Sequence, residues 1–139
     1  DLDIGLPDGA TDEVYLPILE RELKKLIDKL EPDFIFFQSG VDVLKTDKLG
    51  RLSMSIAGCK QRDEMVLSAA YENEIPIALC MGGGYSPRIA DIVEAHANTY
   101  RLAQSIFFEE NVLQIKQTIW QSHRNDFVFF VNNFNQIFV

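Results

Sequence analysis

The sequence has little positive charge and no long apolar run, and each shortage excludes a class of protein. Its 13 Lys and Arg residues are outnumbered by 21 Asp and Glu residues, which gives a formal net charge of -8. Because binding to nucleic acid phosphates depends on clustered basic residues, we expect no direct nucleic acid partner. No segment approaches the roughly 20 apolar residues of a membrane span, and no signal peptide pattern stands at the start. We therefore expect a cytoplasmic protein, or a nuclear one in a eukaryote, that has no membrane partner.

Cysteine is also sparse, with only two residues in the chain. Cys59 and Cys80 are isolated from one another, so neither belongs to a Cys-x-x-Cys metal or redox motif. The pattern favours two buried free thiols in a reducing compartment.

The size and apolar content of the chain suit one domain. It has 139 residues, of which 47% are hydrophobic, enough for a core. It starts at Asp1 rather than at Met, and its first residues are acidic, which indicates a processed product or a fragment.

Apolar periodicity predicts alternating helices and strands. The predicted helices lie at about 12–31, 57–71 and 87–105, and the predicted strands at about 33–38 and 75–80. The strand segments are short apolar runs, which indicates strands buried on both faces of a parallel sheet. In the second helix we expect Cys59 to be buried and Arg62 and Asp63 to be exposed. Ser86 and Pro87 suit the cap and the first position of the third helix. This order predicts an α/β fold, a parallel sheet with flanking helices.

Two groups that can carry chemistry follow the predicted strands. Asp42 comes shortly after the first strand, and Tyr85 follows the second strand and three consecutive glycines, Gly82, Gly83 and Gly84. Because α/β sheets place their chemistry at the carboxyl ends of strands, Asp42 is a candidate metal ligand and Tyr85 a candidate oxyanion donor. A metal site needs more than one carboxylate, however, and Asp in such a loop more often makes local hydrogen bonds.

Other residues favour plainer interpretations. Asp47 suits a role in ordering the loop better than a role as a second ligand, and helical periodicity makes His96 a core or hydrogen-bonded imidazole. The glycine triplet lets a backbone approach a ligand closely. It lacks both the G-x-G-x-x-G spacing and the Lys-Ser/Thr of a P-loop, so it supports a nucleotide site only weakly.

Several motifs, taken in their order, resemble the zinc-dependent histone deacetylase superfamily, in particular its class IV-like and bacterial members. The motifs run over about 1–107: Leu6-Pro7-Asp8-Gly9 with Asp12 and Tyr15, Gly40-Val41-Asp42, Asp47-Lys48-Leu49-Gly50-Arg51-Leu52, Gly82-Gly83-Gly84-Tyr85, and Glu94-Ala95-His96-Ala97-Asn98-Thr99-Tyr100-Arg101. The resemblance implies the carboxyl-terminal part of an arginase-deacetylase fold over 1–107. The aromatic-rich tail at 108–139 falls outside the resemblance and is unassigned.

The resemblance also implies roles for single residues. Asp42 matches one of three protein ligands of a catalytic zinc, and Tyr85 matches the phenol that donates to the tetrahedral oxyanion. Leu49 matches an apolar position of the substrate channel, which the glycines of the triplet help to shape. The implied substrate is an acetylated lysine of a protein or a small acetylated amine such as a polyamine.

The match to the family is incomplete in one respect. In the family, the other two zinc ligands and a pair of histidines lie in a segment that would precede Asp1. Neither His96 nor His123 matches one of these residues. We therefore expect no hydrolysis by this chain alone, and an amino-terminal deacetylase half as its partner. Two alternatives stay open: a non-catalytic interaction or regulatory fragment that docks onto a deacetylase, and a nucleotide-binding α/β module.

Overall fold

The computed structural model describes residues 2–109, which form helices and a two-stranded parallel sheet. The elements are α1 (Asp12–Leu30), β1 (Ile35–Gly40), α2 (Ile56–Glu72), β2 (Ile77–Gly82), α3 (Ile89–Gln104) and a short π-helix (Ser105–Glu109). The α/β fold with a parallel sheet is thereby confirmed. No helix in this part of the chain has the length and apolarity to cross a membrane. The tail, apart from its first two residues, lies outside the described range.

The three helices lie close to the predicted positions because their boundaries are encoded locally. α1 ends at Glu31, whose left-handed backbone donates an N–H hydrogen bond to the Ile27 carbonyl, directly before Pro32. α2 begins after Ser55, whose hydroxyl accepts a hydrogen bond from the Gly58 N–H. Both ends therefore have the hydrogen-bonding groups that helix termini require.

The two strands start and end two residues later than the sequence predicts. Their parallel pairing runs from Ile35 opposite Ile77 to Gly40 opposite Gly82. The second strand begins late because the Ile75 N–H donates to a carbonyl at the end of α2, at 2.9 Å, and still belongs to that helix terminus. As a result, both strands deliver glycine to the rim of the sheet.

One face of the sheet is open among the described residues, so the prediction of strands buried on both faces is wrong here. α2 packs on the face of β1 that carries Phe37, whose ring lies 5.7 Å from the Arg62 guanidinium carbon. On the other face, Phe36 is 82% exposed, and its ring lies 4.8 Å from the Phe34 ring, centroid to centroid, at a tilt of 51°. Cys80 is exposed as well, which corrects the prediction of two buried thiols; only Cys59 is buried. No helix of residues 2–109 covers this face.

Arg62 and Asp63 are buried, which corrects their predicted exposure on α2. Their side chains are 4% and 0% exposed. The predicted burial of Cys59 on the same helix is confirmed. Asp63 lies one helical turn beyond Cys59, on the same stripe of the helix. Arg62 and Asp63 are therefore buried because of their position on the helix, in spite of their charge. The two charges are paired with one another rather than hydrated.

The hydrophobic core lies beneath the loop that follows β1. It is formed by Val41, Leu44, Cys59 and Ala95, with partly buried apolar residues of the loop, α2 and α3 packed against it. Two of these core residues, Val41 and Leu44, flank Asp42 in the chain. Packing therefore fixes the segment that carries the candidate ligand.

Candidate functional site

The loop after β1 is held in shape by its own backbone. The Lys45 N–H donates to the Met54 carbonyl and the Met54 N–H to the Val43 carbonyl, each at 3.0 Å. Leu44 and Met54 are fully buried, while Asp42 is exposed. The apolar residues thus anchor the loop and leave the carboxylate at the surface.

The Asp42 carboxylate is surrounded by glycines. A Cβ added to Gly40 would lie 2.7 Å from Asp42 Oδ1, and one added to Gly83 would lie 2.7 Å from the Asp42 Cβ and Cγ. A Cβ added to Gly50 would overlap the Asp42 carbonyl oxygen. Among residues 2–109, the Asp42 side chain has no hydrogen bond or ion pair. The local hydrogen bonds typical of Asp in such a loop are therefore absent here.

Asp47 orders the loop, as predicted, and also links it to the second candidate group. Its Oδ1 accepts hydrogen bonds from the N–H groups of Leu49 and Gly50, both at 2.8 Å. Its Oδ2 accepts one from the Tyr85 N–H at 2.6 Å. Burial acts to raise the pKa of Asp47, but these three N–H donors outweigh it and hold the pKa below its ordinary value. An ionised Asp47 therefore joins the two loops.

A second contact joins the loops and corrects the predicted cap of α3. The hydroxyls of Thr46 and Ser86 are hydrogen bonded at 2.5 Å. Ser86 is buried in this contact and does not cap the helix, which begins at Ile89 with Arg88 in the capping position. Arg88 instead forms an ion pair with Asp91 in the first turn.

The glycine triplet brings the second loop close to the first loop and to α3. Gly83 and Gly84 have φ values of +67° and +109°, which other residues rarely adopt. A Cβ on Gly84 would lie 2.8 Å from the Ile92 side chain, and one on Gly82 would lie 2.9 Å from the Gln38 amide nitrogen. Glycine at these positions therefore lets the triplet pack closely against the chain's own residues on the side where a Cβ would stand.

Leu49 and Tyr85 are both held through their backbones and exposed through their side chains. Leu49 is 69% and Tyr85 60% exposed, although Asp47 fixes the amide of each. The structure thus places Asp42, Leu49 and Tyr85 on two loops that are hydrogen bonded to each other. An apolar side chain, a carboxylate and a phenol are available at one rim of the sheet.

The described chain offers one metal ligand at this rim but not a complete centre. Catalytic zinc takes three protein ligands. No group of three His, Cys, Asp or Glu side chains within residues 2–109 is arranged to hold a metal. The other candidate nitrogen donor, His96, is half-buried on α3, and its Nδ1 has no hydrogen bond partner in the described range. His123 lies outside that range. Asp42 is therefore a candidate for one zinc ligand, and residues 2–109 do not by themselves form a metal site.

A buried polar network beneath the rim was missed by the sequence interpretation. Arg62 Nη1 donates to the Gly40 carbonyl at 2.6 Å, and Arg62 Nε donates to Asp63 Oδ1 at 2.8 Å. The hydroxyl of Thr99 donates to Asp63 Oδ2 at 2.6 Å. The sequence did carry a signal in the spacing of these residues. Asp63 lies four residues after Cys59 and Arg62 four residues before Val66, and Cys59 and Val66 both face the core.

A family model and two relatives match most of this chain. The model of the histone deacetylase domain matches residues 1–100. An uncharacterized protein of Picosynechococcus sp. is 39% identical over 107 residues, which cover 77% of this chain and 36% of that protein. Histone deacetylase 2 of Arabidopsis thaliana is 31% identical over 93 residues, which cover 67% of this chain and 24% of that protein.

A likeness of fold extends to a solved structure. The crystal structure of the HDA15 HD domain superposes with a TM-score of 0.57 at 18% identity, over 82% of this chain and 33% of that one. The chain therefore spans no more than 36% of the length of any of these three proteins.

Proposed function

The chain belongs to the histone deacetylase family, and we propose that it supplies the carboxyl-terminal part of a zinc-dependent deacetylase site. The proposed substrate is an ε-N-acetyl-lysine in a protein or a small acetylated amine such as a polyamine. The observation that carries this proposal is the joined pair of loops, which presents an unbonded Asp42 carboxylate and the Tyr85 phenol at one rim.

Each residue has a stated role in the proposal. Asp42 is one of the zinc ligands, since carboxylate oxygen is a zinc ligand in proteins. The Tyr85 hydroxyl donates a hydrogen bond to the oxyanion that forms on the acetyl carbonyl, an interaction that is strongest where water is excluded. Leu49 and the glycines at 82–84 line the channel that receives the acetylated side chain.

We propose in addition that the chain does not hydrolyse acetyl groups alone. One carboxylate neither holds a catalytic zinc nor replaces a general base. The proposed partner is the amino-terminal part of a deacetylase domain, which would supply the remaining ligands and the base.

A chimera tests the proposal directly. In the Picosynechococcus relative, the segment that aligns with this chain is replaced by this chain's own sequence; we call this protein the chimera. Histone deacetylase 2 of Arabidopsis thaliana is the positive control of the assay, and the unmodified relative shows whether the host protein is active. With a fluorogenic acetyl-lysine peptide and zinc, we expect turnover by the chimera and none by the 139-residue chain. Asp42→Asn should abolish the turnover, and Tyr85→Phe should lower kcat by about 10²–10³.

Two results would refute parts of this proposal. Robust zinc-dependent turnover by the 139-residue chain, lost in Tyr85→Phe, would refute its inactivity. A chimera whose activity is unchanged by Asp42→Asn would refute the ligand role. An acetylated polyamine assayed beside the peptide distinguishes the two substrate classes.

A second candidate function rests on the open face of the sheet. The exposure of Phe36 on that face leaves apolar surface that a partner can cover. In this alternative the chain is a non-catalytic fragment that docks onto a deacetylase. Co-purification with a deacetylase, together with a chimera that has no activity, would favour it. A thermal shift of the chain with ATP or NAD tests the nucleotide alternative, and we expect no shift.

A further inference from the structure

The buried pair formed by Arg62 and Asp63 reaches the end of β1 at Gly40, two residues before the candidate ligand Asp42. We propose that Arg62 is a positioning residue that fixes the backbone leading into Asp42. Its consequence for catalysis rests on the function proposed above, whereas its consequence for the backbone does not.

Arg62 is hydrogen bonded to the end of β1. The guanidinium is 4% exposed, and its Nη1 donates to the Gly40 carbonyl at 2.6 Å. On its other side Nε donates to Asp63 Oδ1 at 2.8 Å. A planar guanidinium bonded in two directions has a fixed orientation, so the Gly40 carbonyl is held in a fixed place.

Arg62 acts on the peptide group that joins Gly40 to Val41. Arg62 donates to the carbonyl oxygen of this group, and the N–H of the same group, that of Val41, donates to the Gly82 carbonyl at 2.9 Å. This peptide group is therefore held at both ends, once from α2 and once from β2. Only the torsions of Val41, a residue that is 1% exposed, separate it from Asp42. The direction of the Asp42 carboxylate thus depends on this peptide group.

The charged pair is held in place by a hydrogen bond from α3. Asp63 is fully buried, and Thr99 on α3 donates to its Oδ2 at 2.6 Å. Burying two charges is costly unless both are hydrogen bonded, and apolar residues of similar size would pack α2 as well. The network connects α3 to α2 and α2 to the rim of the sheet. Through this network, the Gly40 carbonyl is held in place.

Hydrogen exchange of single amides in the 139-residue chain tests the backbone part of the proposal. Arg62→Lys keeps the charge but replaces the two-sided guanidinium by a single ammonium. We expect the Val41 amide to exchange about tenfold faster in this variant, while amides in the carboxyl-terminal half of α3 change little. Val66→Ala is the matched control, because Val66 is a buried apolar residue on the same helix. Its loss of packing should raise exchange broadly, without preference for Val41.

Kinetics of the chimera test the catalytic part. For Arg62→Lys we expect kcat to fall about 10–100-fold, the loss typical of residues that orient a metal ligand, with KM within about twofold. A merely structural residue would lower the melting temperature and leave kcat per folded enzyme unchanged. If Arg62→Lys does not fold, Thr99→Val replaces it, because that variant loosens Asp63, which orients the guanidinium, and so weakens the hold of Arg62 on the Gly40 carbonyl without altering Arg62. In this case faster exchange confined to the Val41 region supports the proposal.

The outcomes are distinguishable. An even rise of exchange across the chain in Arg62→Lys overturns the positioning role. The same result in Thr99→Val overturns it if that variant has to be used instead. Selective exchange at Val41 with unchanged kcat overturns its catalytic consequence. An inactive parent chimera refutes the proposed function, and the exchange result still decides the role of Arg62.

Discussion

Replacing Gly83 by Ala tests whether the close approach of the two loops is real. The residue has φ +67°, and an added Cβ would lie 2.7 Å from the Asp42 side chain and 2.9 Å from the Asp42 nitrogen. Left-handed backbone costs a residue with a Cβ roughly 1–2 kcal/mol, and overpacking typically costs about 1–3 kcal/mol. We therefore expect Gly83→Ala to lower the free energy of unfolding by about 2–5 kcal/mol.

Urea denaturation followed by circular dichroism measures this loss, and thermal unfolding should show a melting temperature lower by at least about 8 °C. Gly5→Ala is the matched control, since nothing lies within 4 Å of an added Cβ at that position. In the chimera, Gly83→Ala should also lower turnover, because Asp42 must move to make room. A Gly83→Ala variant within about 0.5 kcal/mol of Gly5→Ala would refute the arrangement of the two loops.

Three further predictions concern other contacts. Asp47→Ala removes two hydrogen bonds within its own loop and one to the Tyr85 loop, and should cost about 1–3 kcal/mol in urea denaturation; an unchanged midpoint would contradict this. Burial raises the pKa of the Cys59 thiol to about 11, so iodoacetamide at pH 8 should label Cys80 alone in the native chain, as mass spectrometry can show. Native labelling of both thiols speaks against the burial. Gly58→Ala places a methyl group against the Asp12 carboxylate and should destabilise by about 1–3 kcal/mol. The loss should shrink in the background Asp12→Ala, and additive losses would show that the two residues are not in contact.

The helices were predictable because their signals are local. The end of α1 depends on Pro32 and a left-handed Glu31, and the start of α2 on the hydroxyl of Ser55, all within one turn of the helix. The strand ends were less predictable, since they depend on which backbone groups a neighbouring strand pairs. The open face of the sheet could not be predicted at all, because local sequence does not say how many layers cover a strand.

The arrangement of the candidate site was predictable in part for a similar reason. The placing of Asp42 and Tyr85 after successive strands followed from the order of the elements, and the role of Asp47 in ordering its own loop followed from its type and position. Its bond to the Tyr85 amide spans 38 residues of sequence, which no local pattern reveals. The burial of Arg62 is the same kind of case. Its charge suggested exposure, but it bonds Asp63 on its own helix and the Gly40 carbonyl of β1, 22 residues away, which only the fold brings within reach.

The location of zinc in crystals of the chimera tests the central claim most directly. Anomalous diffraction at the zinc edge gives the metal position independently of any activity. We predict an Asp42 carboxylate oxygen within about 2.0–2.2 Å of the zinc, with the Tyr85 hydroxyl facing the same site. Zinc bound in the domain without Asp42 among its ligands would contradict the account.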